Sequence, residues 1–377
     1  MTSRRLGVAV ALVDGEAVVG DVRLDGDVVA GVGLPPGRGG GLALPGLVDM
    51  QVNGYAGVGL LTADAEAWRS AERAMARDGV TAYVANLISA PTDATRAALT
   101  TAAGVVAGAA RQVGRGGRGV GSQCLGVHLE GPFLSSARRG THPEEHLRIP
   151  SRQLLEPLLG TGPVVEVTVA PELPGAVEVI RWLSASGVVV SLGHSDADAE
   201  TANAGFDAGA RTVTHVFNAM RGVVSRDPGL AGTALARRDV VVQAILDGCH
   251  LSPETAAVVV ASSGARLVLV SDALAAAGAP DGTYRLGDVD VTKVGDVARN
   301  ADGRLAGSVS PLLSCVVRAM EAGASLEGAV VAATSRPAEL IGRTDLGRLR
   351  PGDRADVVVL DDALGVSSAF VAGALAT

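Results

Sequence analysis

Leu125-Gly-Val-His-Leu-Glu-Gly-Pro132 is a short apolar run that carries a carboxylate at its end. The plan recurs in Val188-Val-Val-Ser-Leu-Gly-His194, Thr212-Val-Thr-His215 and Val241-Val-Gln-Ala-Ile-Leu-Asp-Gly-Cys-His250, each closing on a histidine. All six histidines of the chain lie between His128 and His250, where a random scatter would spread them over 377 residues. Histidines and acids set repeatedly at the carboxyl ends of buried strands are how a barrel enzyme assembles a metal site at one mouth.

Working outward, strand-like runs lie near residues 44–53, 80–87, 124–130, 164–170, 188–194, 212–216, 240–247 and 266–272, separated by helix-compatible or turn-rich stretches. Apolar content that continues through a run marks a strand covered on both faces. Eight such units predict a TIM-like (β/α)8 barrel. The doubly wound alternative lacks its mark, a Gly-x-Gly-x-x-Gly turn joining a first strand to a helix. A turn-rich insertion at 274–310 interrupts the pattern, with Asp281-Gly282 and Asp302-Gly303. Residues 6–33 read as a hairpin meander with turns at Asp14-Gly15 and Asp25-Gly26, punctuated by Pro35–Gly41. Short strands return in Leu349–Asp361 and Ser368–Gly373. The termini are therefore expected to pair into a small β-sandwich domain (1–44 plus 346–377) beside a barrel spanning 45–345.

Nearly half the residues are apolar and 19% are charged, a globular balance able to fill a large core. No apolar run reaches the roughly 18–20 residues that cross a bilayer, so no membrane partner is expected. Met1-Thr-Ser-Arg-Arg-Leu-Gly7 runs into an alternating pattern unlike a signal peptide, which predicts a cytoplasmic protein. Net charge is −8, aromatics are 2%, and the basic stretch Arg111-Gln-Val-Gly-Arg-Gly-Gly-Arg118 is short and Gly-rich, so nucleic acid is excluded as a partner. Cys124, Cys249 and Cys315 lack Cys-x-x-Cys spacing and read as small apolar residues more readily than as ligands.

Glu130, His194 and His215 end the third, fifth and sixth strands. One carboxylate, two imidazoles and an open position make a catalytic zinc-type ligand set. Asp272, in Val268-Leu-Val-Ser-Asp-Ala273, ends the eighth strand, where a carboxylate can move a proton between an attacking water and a leaving amine, or can cap the following helix. Asn218, Ala219, Arg226 and His250 follow at loop positions. Arginine, histidine and backbone N–H groups suit an anionic group such as a phosphate, although Arg226 alone also reads as a surface charge. His142, in Arg138-Arg-Gly-Thr-His142, says little by itself.

Seven segments in order over nearly the whole chain resemble the N-acetylglucosamine-6-phosphate deacetylases of the amidohydrolase superfamily. They are Pro45–Gly54, His128–Pro132, Gly193–Ala197, Thr214–Met220, Asp247–His250, Ser271–Ala273 and Leu305–Ser308. The resemblance implies metal binding by Glu130, His194 and His215, acid/base work by Asp272 and polarisation of a carbonyl by His142. It also implies sugar-phosphate binding by Thr141, Asn218, Ala219, Arg226, His250, Leu305, Ala306 and Gly307, in a homodimer whose Arg226 reaches the partner's site. Where many amidohydrolases carry His-x-His for a second metal, this chain has Gln51 and Asn53, and amides are poor ligands beside imidazole. The single lysine, Lys293, lies far from the fourth strand and leaves no bridging lysine. One divalent ion per chain, zinc or iron, is expected. The reaction read from the resemblance is removal of acetate from N-acetyl-D-glucosamine 6-phosphate. Its rivals are a sister enzyme acting on N-acetylgalactosamine 6-phosphate or another N-acyl substrate, and a non-catalytic binder of sugar phosphates, against which Asp272 weighs because binding needs no proton shuttle.

Overall fold

A computed structural model describes residues 3–35, 39–112 and 121–377, so most of the Arg111–Arg118 stretch and the centre of Pro35–Gly41 lie outside the described residues. Eight strands, β1 (Leu47–Val52), β2 (Val80–Ile88), β3 (Gln123–Glu130), β4 (Val164–Val169), β5 (Val189–Leu192), β6 (Thr212–Val213), β7 (Val241–Ala244) and β8 (Leu267–Leu269), form one sheet in sequence order. Every neighbouring pair is parallel. A parallel bridge from Val52 to Ala273 joins the first and last strands, with Asn53 N–H donating to Ala273 O at 2.8 Å, and the sheet closes into a barrel. All residues of β1 and β2 are buried, as the unbroken apolar runs require of strands lined by side chains inside and helices outside. A helix follows each strand, the first at Ala65–Arg77 with Trp68, Ala71 and Met75 on its buried face and Asp64 accepting from the Glu66 and Ala67 amides at its start. Among the described residues no helix is long and apolar enough to cross a membrane.

The expected 274–310 insertion holds a three-stranded antiparallel sheet (Gly282–Leu286, Val289–Val294, Val297–Asn300). Its return segment lies along the barrel mouth, where Ser308 pairs with Ala273 and donates its N–H to Asp272 O at 2.9 Å.

The two ends of the chain meet in one six-stranded sheet. Leu42–Pro45 pairs antiparallel with Val357–Leu360, so strands from both termini share a ladder. With a three-stranded sheet (Ser3–Arg5, Asp21–Asp25, Val28–Leu34), they enclose a small core including Val22, Leu24, Val29, Val357 and Phe370. Asp14 and Gly15 both carry positive φ (52° and 83°), as a two-residue hairpin turn requires. Gly46 joins this unit to the barrel, and a Cβ there would collide with the Thr81 side chain.

Several barrel strands end earlier than the sequence suggests. β6 stops at Val213, β7 at Ala244 and β8 at Leu269, because the chain then bends sharply, with positive φ at His215, Gly248 and Asp272. Those bends turn side chains of the following residues into the mouth.

Candidate metal centre and active site

Glu130 is the last residue of β3, while His194 and His215 each lie two residues beyond their strands with φ of 49° and 29°. Left-handed backbone at non-glycine residues is uncommon and concentrates at functional sites. Here it aims both imidazoles at one carboxylate oxygen. Glu130 Oε1 lies 3.0 Å from His194 Nε2 and 2.9 Å from His215 Nε2, and the two nitrogens are 3.2 Å apart. All three residues are buried.

The chemistry of this set fits a cation. Arg138 O can only accept, so the 3.0 Å contact from His194 Nδ1 puts the ring proton on Nδ1 and leaves the Nε2 lone pair facing the centre. Lone pairs of Glu130 Oε1 and His194 Nε2 therefore converge with His215 Nε2, an arrangement favourable only with positive charge between them. Ligand atoms at ~2.0–2.2 Å from one ion stand about this far apart. The cluster is compatible with a single divalent ion. Gln51 and Asn53 bring only amides to the place where a second ion would need imidazoles.

Asp272 faces the same centre from beyond β8. It accepts from Gln51 Nε2 at 3.1 Å and Asn53 Nδ2 at 2.7 Å, both on Oδ1. Burial, reinforced by the negative charge of Glu130, raises its carboxyl well above the ordinary range. His142 is 2% exposed and accepts the Ser89 N–H on Nδ1 at 3.2 Å. Burial, and next the neighbouring His194, push its imidazole from 6.5 down to about 3, so the ring is neutral. A neutral ring accepting on Nδ1 carries its proton on Nε2, which lies 3.7 Å from Glu130 Oε2. His142 is thus a hydrogen-bond donor at neutral pH. His128, two residues before Glu130, is wholly buried and bonds Thr168 Oγ1 at 2.7 Å.

A cavity of about 320 Å³ opens over the centre, and Glu130, His194, His215, His142, Asp272, Thr141, Asn218, Ala219, His250, Leu305, Ala306 and Gly307 all line it. Asp247 accepts from His250 Nδ1 at 2.8 Å and also from the His250 N–H, which fixes the ring and leaves its Nε2 for the cavity. Gly307 has φ of 117°, and a Cβ there would stand 2.8 Å from Asp272 O, so glycine is what lets the 305–307 backbone lie against the Asp272 turn. Arg226 is not brought to this cavity. It sits on an exposed turn bridged from Val224 to Asp227, beside exposed Val223 and Val224.

Sequence reasoning missed Arg138, Arg304, Asn86 and Ser89. Arg138 and Arg304 line the cavity; Arg138 pairs with Asp196 at 2.8 Å and Arg304 Nη1 donates to Gly140 O at 2.9 Å. Asn86 donates to Glu130 Oε2 at 2.7 Å. Asn86 lies inside β2 and Ser89 just past its end, and nothing in the sequence marks either as part of a site.

Residues 42–375 match the amidohydrolase family. The chain is 36% identical over 338 residues to the N-acetylglucosamine-6-phosphate deacetylase of Vibrio furnissii, covering 88% of this chain and 82% of that protein. It is 35% identical over 340 residues to the N-acetylgalactosamine-6-phosphate deacetylase of Escherichia coli O157:H7, covering 89% and 88%. Among solved structures, a mutant N-acetyl-D-glucosamine-6-phosphate deacetylase from Mycobacterium smegmatis, in complex with N-acetyl-D-glucosamine-6-phosphate, superposes with a TM-score of 0.88 at 33% identity over 100% of both chains.

Proposed function

The chain belongs to the amidohydrolase family, and from that premise we propose that it hydrolyses N-acetyl-D-glucosamine 6-phosphate to D-glucosamine 6-phosphate and acetate, in amino-sugar catabolism or recycling. The observation that carries the reading is the convergence of Glu130 Oε1 with two histidine nitrogens within 3.0 Å, in a cavity that also holds Asp272. Glu130, His194 and His215 would hold one divalent ion per chain, zinc in our reading, with iron as the alternative. Such an ion supplies Lewis-acid polarisation of the acyl carbonyl and makes a water easier to deprotonate.

The protein's own groups do the rest. His142 donates Nε2–H to the acetamide oxygen, where negative charge develops as water adds. Asp272 takes a proton from the attacking water on Oδ2, since both hydrogen bonds to this carboxylate fall on Oδ1. Burial that raises the Asp272 carboxyl makes the protonated form a useful acid. It returns the proton to the sugar nitrogen as the C–N bond breaks, so that acetate and the amine leave and the carboxylate is restored.

His250 and the Asn218–Ala219 and Leu305–Gly307 backbones hold the sugar phosphate, with Thr141 beside His142. We assign Arg226 to the partner subunit's cavity in a homodimer; its place on an exposed turn, outside the lining of its own cavity, supports this. The catalytic apparatus lies in the barrel, 45–345, with 1–44 and 346–377 as the small β domain. A phosphorylated sugar substrate does not cross membranes freely, which supports a cytoplasmic setting.

A second reading, action on N-acetylgalactosamine 6-phosphate, is favoured by the 35% identity to an enzyme of that name. Acetate release measured on both epimers, each with and without phosphate, tests the assignment. Faster turnover of the glucosamine phosphate supports it; preference for the galactosamine phosphate reassigns the epimer, and no release from any of the four refutes the reading.

A further inference from the structure

Asn86 sits inside β2 in the run Val84-Ala-Asn-Leu-Ile88 and is 1% exposed. Its Nδ2 donates to Glu130 Oε2 at 2.7 Å and to Asn53 Oδ1 at 2.9 Å. Chemistry fixes which way the amide faces. Both partners are acceptors, and turning the amide over would set three oxygens against one another. The correct face is kept even though Asn86 Oδ1 is then buried without a partner among the described residues.

From Asn53 the contacts run on. Asn53 Nδ2 donates to Asp272 Oδ1 at 2.7 Å, and Gln51 Nε2 lies 3.1 Å from that oxygen and 3.3 Å from Glu130 Oε1. Glu130, Asn86, Asn53, Asp272 and Gln51 therefore close a ring of hydrogen bonds in which three neutral amides separate two buried carboxylates. The two oxygens of a carboxylate are chemically equivalent, and without a partner on one of them either or both can turn to a cation.

We propose that Asn86 is a positioning residue for the metal-binding carboxylate: its hydrogen bond occupies Glu130 Oε2, so that Glu130 presents Oε1 alone to the ion held with His194 and His215, and through Asn53 the same bond fixes Glu130 relative to Asp272. The proposal rests on the metal reading of Glu130, His194 and His215. It extends that reading to a strand residue that is not among those lining the cavity.

The test compares wild type with Asn86→Leu, close in volume but without a donor, and with Asn86→Ala should leucine not be accommodated. Zinc affinity is measured by competition with a chromogenic chelator, the unfolding midpoint is measured on the chelated protein, and the visible spectrum is recorded on the cobalt-loaded form. Loss of a partner behind a metal ligand typically weakens binding roughly 10–100-fold. The expected result is a loss of that size together with an altered cobalt spectrum, as a freed Glu130 changes the coordination number. Zinc affinity within about twofold of wild type would overturn the proposal. So would weaker binding that tracks a fall in the metal-free midpoint while the cobalt spectrum stays unchanged, since that is a merely structural role. Wild type that takes up no zinc overturns the underlying metal reading, an outcome distinct from wild type and variant binding equally.

Discussion

Both hydrogen bonds to Asp272 arrive on one oxygen, from neutral amides that cannot trade protons with it. Asp272→Asn keeps an acceptor for Gln51 and Asn53 but removes the proton acceptor. Turnover should fall roughly 10²–10⁴-fold while bound metal, measured by elemental analysis, stays at the wild-type level. Near wild-type turnover would assign the proton transfer to another group. At this scale, Glu130, His194, His215 and Asp272 are legible in the sequence because each closes an apolar run, where a polar residue has to have a reason. Asn86 is not legible, since a polar residue inside a buried strand looks the same whether it satisfies a neighbour or serves a site, and its partner Glu130 is 44 positions away. Arg304 escapes notice for a different reason. It reads as one more exposed arginine until the hairpin insertion carries it over the cavity to Gly140.

At the scale of the element, the eight strands are visible from sequence because burial on both faces leaves a continuous apolar signal. Their ends are blurred because the bends at His215 and Asp272 use left-handed backbone at ordinary residues, which leaves no glycine to mark them. The 305–307 segment does carry its glycine. Gly307→Ala would place a Cβ 2.8 Å from Asp272 O and 2.9 Å from Leu274 Cδ2 at φ of 117°. That change should cost roughly 1–3 kcal/mol in denaturant unfolding and lower kcat/KM, as the segment lifts from the Asp272 turn. Unchanged activity would mean that the segment's close approach is unimportant to the site. Inside the barrel, Glu166 of β4 is fully buried against Gln243 Nε2 at 2.6 Å. Burial pushes its carboxyl from 4.5 up to about 8, with the bond from Gln243 opposing the rise. The folded protein keeps this proton where the unfolded chain has released it, so Glu166's stabilising effect is complete below the unfolded value and declines as pH rises toward the folded one. Glu166→Gln should flatten that decline, read from unfolding midpoints at about pH 5 and about pH 8. An equal slope in the variant would place the titration elsewhere.

On the scale of the whole molecule, the pairing of the two chain ends in one sheet was legible from matching strand-like stretches at either terminus. Arg226, which the resemblance places in a partner's site, lies on an exposed turn and is not among the residues lining its own chain's cavity. If Arg226 reaches the partner's site, Arg226→Ala should raise KM for the phosphorylated sugar far more than for its unphosphorylated form, a charge-assisted contact being worth roughly 1.5–3 kcal/mol. Refolding Arg226→Ala together with Asp272→Asn should then recover activity above either variant alone, since a mixed dimer contains one site with both groups intact; no recovery would confine each site to its own chain. The central claim is a single-ion deacetylase built on Glu130, His194 and His215. It is tested most directly by titrating zinc into chelated protein while following acetate release from N-acetyl-D-glucosamine 6-phosphate. Activity should rise from near zero and break at one equivalent per chain. A break at two equivalents, or acetate release that does not depend on added metal, would contradict the account.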